Sequence, residues 1–256
     1  MIYLYGLVEA SNAALPICLD GVNGLQGPLQ QTQIGPWTLI YSDHDDEEIM
    51  PRRRLLLAHT KVLETMLTTG TVLPARFGLV ARDMSQIEGL VHSVQNEIDA
   101  EFKKLSGAIE LGVRVSFERQ AALAATLDAH PRLRQEREAL QRKGPQAHFE
   151  IAAFGGKLAD EMDRRRGAAQ KALLTAIRPM ARDHVLRKPE DDIEVLRAEF
   201  LVDAELQHSF EQSLADAASA LDFAPGEEPR ISVIGPVPMY NFVNLNLTFD
   251  VDQEAA

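Results

Sequence analysis

From the end of the run Val113–Phe117 to about His184, roughly seventy residues carry their apolar side chains at helical spacing, and short strand-like runs flank that block on both sides. A helical block this long cannot be threaded into a sheet, and the flanking runs are too short for helices. Helices and strands must therefore segregate into packed layers, which predicts an α+β fold. Within the block one helix ends near Ala129, Pro131 can start a second, and Gly144-Pro145 breaks the pattern. The third runs from Gln146 to about His184, with the stripe Ile151, Phe154, Leu158, Met162, Ala169, Leu173, Ile177 and Met180, and Pro179 should kink or end it. Beyond it, Asp183–Arg187 is a candidate strand and Ile193–Val202 a clearer one. Asp203 can cap a helix with the face Leu206, Phe210, Leu214, Ala218 and Leu221. Arg230–Ile234 and the alternation Val243, Leu245, Leu247, Phe249 predict two more strands. The order strand, helices, strands, helix, strand is compatible with a ferredoxin-like βαββαβ unit carrying extra helices in its first crossover.

The chain of 256 residues has room for two domains. The expected division is an N-terminal α+β domain over residues 1–109 and a C-terminal ferredoxin-like domain with a helical insertion over residues 110–256. In the first, Ile2–Val8 reads as a buried strand, residues 10–36 as a long loop, Trp37–Tyr41 as a second strand and Thr71–Phe77 as a third. Pro51 suits the first turn of a helix that Gly70 stops. Asp83 and Gln86 form a capping pair for one long helix, whose stripe is Met84, Ile87, Leu90, Val91, Val94, Ile98, Phe102 and Leu105.

Charge and cysteine content narrow the function. The net charge is −12, and the parts before and after residue 109 are both acidic. No footprint for nucleic acid is expected, and an anionic lipid membrane would repel the chain. The lone Cys18 excludes an intrachain disulfide and fits a reducing cytosol. Met1–Gly6 enters an apolar run with no basic segment before it, so no signal peptide is expected, and no apolar run reaches membrane-span length. No Walker, dinucleotide, nucleophile-elbow or zinc-protease motif is present, which predicts no catalytic residues, no cofactor and no metal.

Several residues carry a structural and a functional reading side by side. His59 sits on a leucine-rich helix with no second metal ligand one turn away, so it reads as a hydrogen-bonded packing residue. Arg76 beside Phe77 can pair with an acidic group of its own domain or dock a partner carboxylate. In Gly235-Pro236-Val237-Pro238 the prolines remove two N–H donors, so the strand ladder should pause there. Such a stiff loop either braces the fold or presents Met239 and Tyr240 to a partner. Asp43-His44-Asp45-Asp46-Glu47-Glu48 lacks calcium-loop spacing and reads as a solvated acidic loop, balanced by the nearby Arg52, Arg53 and Arg54. Gly155-Gly156 follows no strand and is no phosphate loop; close helix packing or a local kink would explain it.

Three ordered stretches resemble the GvpL/GvpF family of gas vesicle proteins. They are Ile2-Tyr3-Leu4-Tyr5-Gly6-Leu7-Val8; His59-Thr60-Lys61-Val62-Leu63 followed by Val72-Leu73-Pro74-Ala75-Arg76-Phe77-Gly78; and Gly235-Pro236-Val237-Pro238-Met239-Tyr240-Asn241-Phe242-Val243. The chain departs from the family at Leu79, where Thr is usual, and at Val237, Met239 and Asn241, where Trp, Pro and Ser are usual. The resemblance implies a non-enzymatic minor structural or assembly protein of the gas vesicle, inside the cytoplasm. Its implied partners are the small hydrophobic shell protein and other gas vesicle accessory proteins. The candidate partner-binding residues are Arg76, Phe77, Pro236, Pro238, Met239 and Tyr240. The alternative is a small-molecule-binding or enzymatic module on a ferredoxin-like scaffold.

Overall fold

The computed structural model describes residues 1–9, 21–46, 48–245 and 247. Its elements form an α+β fold with two sheets. By internal contacts the chain divides into two compact units, Met1–Glu110 with Pro236–Ala256, and Leu111–Gly235.

The first unit is built on β1 (Ile2–Glu9), whose interior residues are all buried. It pairs antiparallel with β3 (Trp37–Asp43) on one side, and on the other with β4 (Val72–Pro74) and β5 (Val80–Ala81). A register shift between Leu4 and Gly6 marks a bulge in β1. One extra residue reverses the alternation of side chains, so Tyr3, Tyr5 and Val8 all join one core cluster with Ile40, Val62, Leu63, Met66 and Val72. Val62, Leu63 and Met66 come from α1 (Arg53–Leu67). Each such burial is worth about 1.5–3 kcal/mol. Gly6 is needed where it stands, because a Cβ there would lie 2.5 Å from the Leu73 carbonyl oxygen.

The expected third strand is interrupted. After Pro74 the chain leaves the sheet in a turn, with Gly78 at φ +89° and Leu79 N–H donating to the Arg76 carbonyl at 3.2 Å. It then returns as β5. The expected loop over residues 10–36 holds a strand, β2 (Gln30–Ile34), which pairs with β3 through a tight turn at Gly35. Its sequence Gln-Gln-Thr-Gln-Ile shows no apolar alternation because it lies at the edge of the sheet. The expected long helix is two, α2 (Met84–Ser93) and α3 (Gln95–Leu105), broken at Val94. The break leaves the stripe in phase, since Val91 and Ile98 are seven residues apart and both buried. Asp83 caps α2 as expected: its side chain accepts from Gln86 N–H at 2.9 Å, while the Gln86 side chain accepts from Arg82 N–H. Cys18 and Glu47 lie outside the described residues.

The second unit takes most of β6 (Ala108–Ser116), then α4 (Arg119–Ala129), α5 (Pro131–Lys143) and the 30-residue α6 (His148–Ile177). A 3-10 turn at Arg178–Met180, containing Pro179, ends α6. β7 (Ala181–Leu186) and β8 (Glu194–Asp203) follow as an antiparallel pair, then α7 (Gln207–Ser219) and β9 (Arg230–Val237). The strand order is β7-β8-β6-β9.

Five local expectations are corrected here. Asp203 makes no side-chain cap; its carboxylate accepts from Arg182 Nε at 2.6 Å. Gly155 and Gly156 sit inside an unbroken helix, and an added Cβ would meet nothing within 4 Å, so neither close packing nor a kink accounts for them. The α6 stripe is buried only from Met162 onward, and Ile151 is exposed. The ladder of β9 runs through Pro236, which an edge strand tolerates because one row of its N–H groups needs no partner. The last expected strand falls away too: Val243 and Leu245 are outside any strand, and Phe249 is outside the described residues.

Candidate functional site

The family-like stretches converge around one imidazole in the first unit. Helix α1 turns His59 inward, where it is 2 % exposed. Its Nδ1 lies 2.8 Å from the Tyr3 hydroxyl, which also accepts from Gly78 N–H at 3.3 Å. The phenol and Nδ1 thus share a buried hydrogen bond, with one of the pair supplying the proton. Nε2 has no hydrogen-bond partner among the described residues. Burial pushes the His59 pKa down to about 4, and the Ala75 backbone opposes this only in part. Burial also raises the Tyr3 phenol above its ordinary value, partly offset by Gly78 N–H, with Tyr5 and Tyr240 adding to the rise. His59 is thus the packing residue that its leucine-rich context suggests.

Aromatic rings close around it. Tyr5 stacks on His59 at 5.5 Å between centroids, and Tyr240 lies near-parallel to it at 6.5 Å. Phe77 meets both His59 and Tyr3 edge-on, at 5.7 and 6.2 Å. Edge-to-face and offset contacts like these are worth about 0.5–1.5 kcal/mol each beyond the area they bury.

The residues after β9 fold onto this cluster. Pro238, Met239 and Phe242 are buried. Asn241 donates through its backbone N–H and its side-chain amide to the Glu110 carboxylate, itself only 2 % exposed. Lys104 Nζ donates to the Phe242 carbonyl. Burial raises the Tyr240 phenol above its ordinary value, offset in part by the neighbouring Thr60 side chain, with Glu110 and Glu64 adding to the rise. Neither of the expected presenting side chains is simply displayed: Met239 is packed in the interior, and Tyr240 shows one edge of its ring, 42 % exposed. Of the six candidate residues, Phe77 and Tyr240 belong to the aromatic cluster and Met239 is buried. Pro238 is buried, while Arg76 and Pro236 are exposed. Sequence reading missed Tyr3, Tyr5, Thr60, Glu110 and Phe242 as parts of this arrangement. The two tyrosines alternating in an otherwise aliphatic strand were the available signal.

The second unit holds an open hollow of about 620 Å³ lined by His130, Arg132, Lys157, Asp160, Glu161 and Arg164. Much of its charge is tied internally: His130 and Arg164 both contact Glu161, and Lys157 pairs with Glu136. Among the described residues no group of three or more His, Cys, Asp or Glu could hold a metal ion. Among them, too, no helix is long and apolar enough to cross a membrane.

Comparison with known proteins places these features in one context. A family model described as gas vesicle synthesis protein GvpL/GvpF matches residues 1–244. Gas vesicle protein F of Microcystis aeruginosa is 28 % identical over 249 residues, covering 95 % of this chain and 98 % of that protein. Gas vesicle protein F of Dolichospermum flosaquae is 26 % identical over 249 residues, with 96 % and 98 % covered. The crystal structure of GvpF from Anabaena superposes with a TM-score of 0.79 at 25 % identity, covering 96 % of this chain and 99 % of that one. That of the Microcystis aeruginosa protein gives 0.69 at 28 % identity, with 95 % and 99 % covered.

Proposed function

This chain belongs to the GvpL/GvpF family of gas vesicle proteins, and from that premise we propose that it is a non-catalytic assembly or minor structural component that binds the small hydrophobic shell protein during vesicle formation. A role in the gas vesicle comes with the family. The step to the shell protein rests on one observation. Two separate family-like stretches, Arg76–Gly78 and Pro238–Phe242, meet on the Tyr3–His59 pair and hold Tyr240 at the surface in a fixed pose. A rigid, partly exposed aromatic edge loses little entropy on docking, which suits an apolar partner. In this reading Arg76, Phe77, Pro236 and Tyr240 contact the partner, and Pro238 and Met239 support them from beneath. The place of action is the vesicle within the cytoplasm. The second unit is read as a ferredoxin-like fold with α4 and α5 added to its first crossover, a reading supported by the strand order β7-β8-β6-β9.

The test is a pull-down of purified shell protein on the full chain, repeated with Tyr240→Ala combined with Arg76→Ala. Capture by the unaltered chain and loss of at least about tenfold in affinity for the variant is expected, as for removal of a central aromatic contact. Capture by neither chain, together with normal vesicles after deletion of the gene, would remove the reading.

A further inference from the structure

Helix α1 has a second face, opposite the one that carries His59. Arg53, Arg54, Leu57 and Lys61 recur along it at helical spacing, and all are exposed. Leu57 is 60 % exposed, Leu56 beside it 41 %, and Met50 just before the helix 71 %. Of the eight Lys and Arg in residues 1–109, four are Arg52, Arg53, Arg54 and Lys61. None of the four forms an ion pair with a described residue. No described residue of the acidic stretch before the helix forms an ion pair with them, and the Asp43 carboxylate accepts from Gln30 instead. Three other exposed arginines are tied, Arg119 to Asp191 and Asp192, Arg134 to Asp128, Arg182 to Asp203. Three arginines at the start of a helix also oppose its dipole, and no acidic residue lies in the first turn to offset them. The chain therefore carries here four basic side chains with no ion-pair partner among the described residues, beside two exposed leucines and followed one turn on by the exposed Glu64, in a molecule of net charge −12.

We propose that this face of α1 is a docking surface for an acidic amphipathic segment of another polypeptide. Carboxylates of that segment pair with Arg53, Arg54 and Lys61, and its apolar side chains cover Leu56, Leu57 and Met50. Charge complementarity selects the partner's chemistry: an acidic segment gains guanidinium pairing that a basic or neutral one does not. The proposal uses residues other than Arg76 and Tyr240 and does not rest on the shell-protein reading.

The experiment pans a displayed random-peptide library on the immobilised full chain, then on a chain carrying Arg53→Glu, Arg54→Glu and Lys61→Glu. Enriched peptides are synthesised and titrated by fluorescence anisotropy. The expected winners combine Asp or Glu with Leu, Ile or Phe at helical spacing. Their affinity should fall at least about tenfold on charge reversal, several-fold with Leu57→Ser, and further with added salt. Charge reversal should leave the melting temperature unchanged or about 2 °C higher, since acidic groups suit the helix start. Lost binding then cannot be ascribed to unfolding. Winners without acidic residues, or affinity indifferent to charge reversal, would overturn the proposal. So would binding to phosphatidylserine vesicles with no acidic peptide selected. Self-association of the chain that charge reversal abolishes would assign the face to a second copy and overturn it equally.

Discussion

Between pH 7 and pH 4 the unfolded chain takes up a proton at residue 59 near the ordinary imidazole value of 6.5, while the folded chain resists it down to about 4. Stability from the neutral, buried ring is therefore complete above pH 6.5 and declines as the pH falls toward 4, by about 3 kcal/mol in all. Denaturant titrations at pH 7 and pH 4.5 should show this loss in the unaltered chain, and His59→Gln should remove most of it. A variant with the same pH dependence as the parent would show that the proton is taken up elsewhere. Glutamine can still accept from Tyr3, which keeps the change from stranding a buried hydroxyl, at a cost of about 1–3 kcal/mol. The sequence identified His59 as a packing residue through its neighbours. It could not supply the partner, because Tyr3 lies 56 residues away in the chain.

Helices and strands were legible where apolar side chains kept a period. β1, β3, α1, β6, β8 and α7 all emerge near their expected places, and so does β7 from a weak candidate. The failures share one cause. β2 is an edge strand with no buried face to record, and the break between α2 and α3 leaves the stripe in register. The first turns of α6 carry a stripe that the fold does not bury. Gly155 and Gly156 follow from that last point, since they stand exposed in open space on a continuous helix. Each should then cost the helix about 0.5–1 kcal/mol relative to alanine. Gly155→Ala and Gly156→Ala are expected to raise the midpoint of thermal unfolding singly and to add when combined. A lowered midpoint would mean that the glycines serve a bend or contact of their own. In the same block Arg165 does what no periodicity reveals: its guanidinium donates to Thr126 Oγ1 and to the carbonyls of Ala122, Asp222 and Phe223, tying α4, α6 and the loop after α7 together.

At the scale of the whole molecule, the proposed division near residue 110 meets a chain that crosses between its units inside β6 and returns to the first after Gly235. Met239 and Phe242 are 1 % and 2 % exposed. Removing both side chains should cost several kcal/mol, at about 2–5 kcal/mol for each large buried residue. Trp37 is the single tryptophan and is buried in the first unit, so its fluorescence reports that unit alone. Met239→Ala with Phe242→Ala should lower the denaturant midpoint of the Trp37 signal. An unchanged midpoint would favour residues 110–256 as a self-contained domain. Read alone, the chain is enough to show an α+β protein, its main stripes and, through three ordered stretches, its family, because periodicity and short motifs are local properties of neighbouring residues. Folding in three dimensions was required to bring Tyr3, His59, Phe77 and Tyr240 to one point, to bury Met239, and to leave the arginines of α1 without ion pairs among the described residues. Those outcomes depend on distances between residues far apart in sequence, which no local pattern encodes.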